Sequence, residues 1–117
     1  MTPLNNNINI PKGTSASISV TVCYADGSPY PYNAADTVRL AVKHDVNQPT
    51  ADLSKTAVYD PDTAAYIFTF APEDTAAMLF DRYWYDVGLQ TADGDYFMII
   101  TKSEFCVTPA ISQKVVT

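Results

Sequence analysis

The stretch Arg82-Tyr83-Trp84-Tyr85-Asp86-Val87-Gly88-Leu89, continued through Ala92-Asp93-Gly94-Asp95 into Tyr96-Phe97-Met98-Ile99-Ile100, constrains this chain more than any other. Tyr83, Tyr85, Val87 and Leu89 share one parity of a period-two pattern, and Trp84, Asp86, Gly88 and Gln90 share the other. A Gly-containing turn followed by a second run of aromatic and branched residues predicts a long β-hairpin with one face built for a core. A three-residue loop, Ala92-Asp93-Gly94 with Gly94 left-handed, pairs Leu89 with Phe97 and Val87 with Ile99. That register keeps Phe97, Ile99, Phe105 and Val107 on one face. A two-residue Asp93-Gly94 loop would put Met98 and Ile100 there instead and would require a bulge before Phe105.

Similar alternation recurs along the chain. Ile8 and Ile10 mark a short strand over Asn5 to Ile10, stopped by Pro11-Lys12-Gly13. Thr14 to Tyr24 alternates Ile18, Val20, Val22 and Tyr24 with Ser17, Ser19, Thr21 and Cys23, which predicts a half-buried strand with a solvated hydroxyl face. Asp26 to Asn33 is turn-rich, and its prolines remove ladder donors. Asp36 to Lys43 is a strand with Val38, Leu40 and Val42 inward, and His44 to Ser54 reads as loop. Thr56 to Tyr59 is a short strand, and Ala65 to Phe70 places Tyr66, Phe68 and Phe70 on one face. Pro72 to Phe80 is the one helical candidate, with Pro at its start and acidic residues in the first turn.

Seven or eight short strands at even spacing with almost no helix predict an antiparallel β-sandwich, with one short helix before the penultimate strand. At 117 residues the chain fits one domain, with the core over 8–107 and a tail over 108–117. A net charge of −6 argues against nucleic acid and anionic lipid as partners. No apolar run approaches the ~20 residues that span a bilayer. The start, Met1 to Asn7, lacks the basic and apolar parts of a signal peptide, so synthesis in the cytoplasm is expected. Cys23 and Cys106 fall on the outward parity of different strands, which predicts reduced thiols and no disulfide through the core.

Little in the chain suggests catalysis, a metal or a cofactor. His44, beside Asp45, is the one histidine and reads as a surface side chain. Asp60-Pro61-Asp62 and Asp93-Gly94-Asp95 offer paired oxygens to calcium but are also ordinary turn compositions. Binding residues are easier to nominate. An outer sheet face carrying Trp84, Tyr96, Met98 and Ile100 is an apolar patch, and such patches mark contacts unless the short helix or the tail covers them. Tyr24, Tyr30 and Tyr32, near Asp26 and Asn33, form a set suited to stacking on sugar rings. The plainer reading is that Tyr30 and Tyr32 cover the open end of the sandwich.

The order of several motifs carries a resemblance. Pro11-Lys12-Gly13 is followed by a Val-rich strand into Asp26-Gly27-Ser28-Pro29-Tyr30, and then by Asp36-Thr37-Val38-Arg39-Leu40-Ala41-Val42-Lys43. Tyr66-Ile67-Phe68-Thr69-Phe70, Pro72-Glu73-Asp74-Thr75 and Tyr83-Trp84-Tyr85-Asp86-Val87 come next. Over roughly residues 8 to 107 this order resembles the immunoglobulin-like N-terminal domain of phage baseplate upper proteins and related tail or fibre modules. Asp81-Arg82 stand where that pattern has a Gly before Tyr83. The resemblance implies an immunoglobulin-like sandwich acting as a non-enzymatic virion or prophage structural protein. It would assemble with other tail proteins or with copies of itself and require no cofactor. The alternative it leaves open is a carbohydrate-binding or host-surface adhesion module that contacts a glycan through Tyr30 and Tyr32.

Overall fold

The computed structural model describes residues 7–78 and 82–108. The elements in chain order are β1 (Ile8–Pro11), β2 (Ala16–Val20), β3 (Thr37–Lys43), β4 (Leu53–Thr56), β5 (Val58–Asp60), β6 (Ala65–Phe70), α1 (Pro72–Ala76), β7 (Arg82–Gln90) and β8 (Tyr96–Thr108). They form a five-stranded sheet in the order β1-β8-β7-β3-β4 and a three-stranded sheet in the order β2-β6-β5. Every pairing is antiparallel except β1 with β8, where Ile8 to Pro11 run parallel to Phe105 to Thr108. Two sheets with this order, strands crossing between them and one short helix linking β6 to β7 make an immunoglobulin-like β-sandwich.

Alternation explains the strands that form most regularly. Val38, Leu40 and Val42 of β3 are buried opposite Leu89, Val87 and Tyr85 of β7. Phe68 and Phe70 of β6 and Phe105 and Val107 of β8 close the core from the two sheets. Of the side chains on the parities read as inward, all are buried except Ile8, Ile18 and Ile99, which are half-buried, and Tyr24 and Phe97, which are 50% and 54% exposed.

Several boundaries differ from the sequence reading. The strand expected over Thr14 to Tyr24 ends at Val20. Its continuation folds into a tight ribbon in which Tyr30 N–H donates to Val22 O and Tyr24 N–H to Ser28 O. The turn inside it, Tyr24-Ala25-Asp26-Gly27-Ser28, has the same pattern as Thr91-Ala92-Asp93-Gly94-Asp95. In each, the Gly N–H bonds back three residues and Gly27 (φ 90°) or Gly94 (φ 93°) is left-handed.

The segment read as loop and one short strand is instead two strands in different sheets. β4 pairs with β3, Ala57 N–H donates to Val38 O, and β5 then crosses to pair with β6. The helix is five residues long. The Asp74 carboxylate accepts the Ala71 N–H at 2.7 Å, and Met78 beyond the helix is buried. Positions 79–80 of the expected helix, 5–6 of the first strand and 109–117 of the tail lie outside the described residues.

The long hairpin has the predicted three-residue loop, with Leu89 opposite Phe97. Beyond it the register shifts. Gly88 faces Met98, Val87 faces Ile100 and Tyr85 faces Ser103, so irregularities flank Val87. The shift reverses one expectation: Ile100 lies opposite the fully buried Val87 and packs against the core, not on the outer face.

Candidate binding surfaces

The outer face of the five-stranded sheet is built by β3, β7 and β8. Ala41 and Gly88 leave its centre low. Two shallow depressions meet at Ala41 and Asp86, one of about 180 Å³ reaching Lys43, Trp84 and Lys102, the other of about 110 Å³ reaching Arg39, Gln90 and Tyr96. Lys102 Nζ sits 4.7 Å from the centroid of the half-buried Trp84 ring, a cation–π contact. Burial pushes the Asp86 carboxyl above its ordinary value, and the neighbouring Lys43 ammonium opposes that shift.

Tyr96 lies across Gly88 so closely that a Cβ there would coincide with its hydroxyl and ring. At the hairpin tip Tyr96, Phe97 and Met98 are 59, 54 and 47% exposed, three consecutive large apolar side chains facing solvent. Of the four residues nominated from sequence, Tyr96 and Met98 therefore lie together near Gly88. Trp84 stands further along β7 beside Lys102, and Ile100 is turned inward. Phe97 was missed, because its parity assigned it to the core.

The second surface is an aromatic cluster. Because Thr37 pairs with Gln90 and Val20 with Tyr66, the loops joining β2 to β3, β5 to β6 and β7 to β8 leave the sandwich at one end. There Tyr32 stacks on Tyr59 with centroids 4.1 Å apart and planes 13° from parallel. Tyr59 meets Tyr66 edge-on at 5.1 Å, and Tyr24 meets Tyr30 edge-on at 5.4 Å. Tyr30 is half-buried and donates its hydroxyl to Asp36 Oδ2 at 3.0 Å, and this hydrogen bond raises its pKa. Tyr30 thus positions Asp36, while Tyr32 is the exposed ring of the pair nominated from sequence. Tyr59 and Tyr66 came from strands that the sequence reading treated as packing alone.

The remaining candidates serve the loops. His44 Nδ1 and the His44 backbone nitrogen both lie within 2.8 Å of Asp52 Oδ2, so Asp52 holds the histidine from across the loop. Asp60 accepts the Asp62 N–H and the Thr63 hydroxyl, an Asp closing its own turn. Among the described residues no group of three or more His, Cys, Asp or Glu side chains gathers as a metal site would require. Cys23 is an exposed free thiol beside the 24–28 turn. Cys106 is half-buried on β8, its Sγ 3.9 Å from Glu104 Oε2.

No protein-family model matches the chain, and no curated protein matches it. Among solved structures, the first Ig-like domain of human CD48 antigen is similar at a TM-score of 0.43 and 11% identity, over 97% of this chain and 89% of that one. So weak a likeness says nothing of ligand or partner. The immunoglobulin-like assignment rests on strand order and pairing.

Proposed function

We propose that this protein is a non-enzymatic structural module of a phage or prophage particle, a tail, baseplate or fibre component that works by protein–protein assembly. The observation that carries the assembly reading is the run Tyr96-Phe97-Met98, exposed at the end of the longest hairpin, with Tyr96 and Met98 on the outer face beside Gly88 and Phe97 on the opposite parity. Exposed apolar side chains in a row beside shallow, charge-rimmed ground suit a flat protein contact better than a small-molecule cleft. The particle assignment rests on the resemblance in motif order to phage baseplate and fibre modules. Other tail proteins or copies of this chain are the partners it implies.

Sedimentation of the chain, alone and mixed with the products of the genes flanking its own, tests the reading. A complex is expected, and Tyr96→Asp/Met98→Asp should weaken it by at least about 30-fold, as loss of an apolar anchor does. Both positions are about half exposed, so the double variant should stay folded. Undiminished assembly of that variant would overturn the proposed contact.

A further inference from the structure

We propose that the outer face of the five-stranded sheet docks an extended acidic segment of a partner protein, in which two carboxylates flank a hydroxyl residue on one side of the segment. This rests on the assembly reading and names the chemistry of the partner.

The face is a small grid. On β3, Arg39, Ala41 and Lys43 share one parity, and on β7 they stand opposite Gly88, Asp86 and Trp84. Alternate residues of a strand lie about 6–7 Å apart, so the Arg39 and Lys43 backbones are roughly 13 Å apart with Ala41 between them. The two depressions meet at Ala41 and Asp86, in the middle of that span. A segment lying along β3 therefore crosses both.

Charge selects the occupant. Arg39, Lys43 and Lys102 line the depressions, and none of the three is ion-paired among the described residues. Lys55 and Arg82, by contrast, are matched to Asp74 and Glu104. Lys43 Nζ donates to Gln48 O at 3.0 Å, which leaves it two N–H groups. Three cations around the Asp86 carboxylate give this face an excess of positive charge on a chain whose total is −6. A second copy of the same face would be repelled, and an acidic partner is attracted.

Asp86 determines the middle of the pattern. It is half-buried, burial penalises its charged form, and its carboxylate accepts no hydrogen bond among the described residues. A donor arriving there relieves that penalty, whereas a further carboxylate would meet like charge. Residues i, i+2 and i+4 of an extended segment project to one side at the spacing of Arg39, Ala41 and Lys43. An acid, a hydroxyl and an acid at those positions answer Arg39, Asp86 and Lys43 in turn.

Trp84 is the one tryptophan of the chain and lines the larger depression, so its fluorescence reports occupancy. The probes are three capped peptides, Glu-Val-Thr-Val-Glu, Glu-Val-Glu-Val-Glu and Lys-Val-Thr-Val-Lys, titrated at low salt. The first is expected to give a saturable change with a dissociation constant on the order of 1 mM. Arg39→Gln and Lys43→Gln should each weaken it about 3-fold, and so should added salt. The second peptide should bind several-fold more weakly than the first, and Asp86→Asn should erase that difference. The basic peptide should give no saturable change. These substitutions fall on the solvent face, and unaltered urea unfolding checks that each variant is folded. No saturable change with the first peptide, an equal response to the basic one, indifference to both rim variants, or a preference for threonine that survives Asp86→Asn would overturn the proposal. The assembly reading falls separately, on undiminished assembly of the Tyr96→Asp/Met98→Asp variant.

Discussion

Gly88 lacks a side chain on the outer sheet face, and that space determines where the exposed Tyr96 ring lies. The Tyr96 ring crosses it in the space a side chain would fill. Because Tyr96 is 59% exposed, an added methyl should push the ring into solvent and leave the strand in place. Gly88→Ala is therefore expected to shift Tyr96 ring resonances while changing stability by no more than about 1 kcal/mol, with alanine's better strand propensity offsetting part of the lost contact. In the Tyr96→Ala background the same change should be neutral or stabilising, so a double-mutant cycle by urea unfolding isolates the pair.

Asp74 sets the behaviour in acid. Burial pushes its carboxyl up, but the Lys55 ammonium at 2.7 Å and the Ala71 N–H outweigh that, and its pKa falls below the ordinary value of 3.8. A carboxyl depressed in the folded state stabilises fully above the ordinary carboxylate range, and that stability is lost as pH falls through the folded value. Asp52, depressed by its hydrogen bonds to His44 against the effect of burial, acts in the same direction. Stability should therefore decline below about pH 4. Asp74→Asn should cost about 1–2 kcal/mol at neutral pH and flatten that acid limb. Equilibrium unfolding at stepped pH measures both effects.

Among the elements, α1 shows how a five-residue helix can tie two sheets together. Thr75 is completely buried, and its Oγ1 accepts the N–H of Gly13 in the turn between β1 and β2 at 2.9 Å. Thr75→Val keeps the shape and leaves that donor unpaired, so it should cost about 1–3 kcal/mol in urea unfolding. Thr75→Ser retains the acceptor and should cost less. Neither the burial nor the bond was visible in the sequence, where Thr75 stands among polar and small residues.

Legibility varied between elements for physical reasons. β3, β6 and β7 were readable because one parity of each carries an unbroken set of large apolar side chains that faces a single core. β4 was not, since Leu53-Ser54-Lys55-Thr56 is mostly polar, and β5 was read only as part of a strand over Thr56 to Tyr59 because the chain changes sheets at Ala57 within one short span. In β8 the run Phe97-Met98-Ile99-Ile100 is apolar on both parities, so alternation could not report the shift that turns Ile100 inward. The tyrosine end was half legible. Tyr30 and Tyr32 were evident in their loop, but Tyr59 and Tyr66 reach the same place from the other sheet, through pairings that period-two reasoning does not contain.

At the scale of the whole molecule, charge and shape separate the surfaces. The chain carries −6 overall, yet Arg39, Lys43 and Lys102 of its 7 basic residues rim the outer face around the partly desolvated Asp86. On the assembly reading proposed above, such a face suits a partner with acidic groups at its rim, and the association is expected to weaken with salt.

Side-chain oxidative footprinting, of the chain free and inside the purified particle, tests the central claim most directly. The account predicts several-fold protection of Tyr96, Phe97 and Met98 on assembly, with Val58 on the opposite sheet unchanged. Full labelling of the hairpin tip in the particle, with protection appearing at Val58 instead, would contradict it.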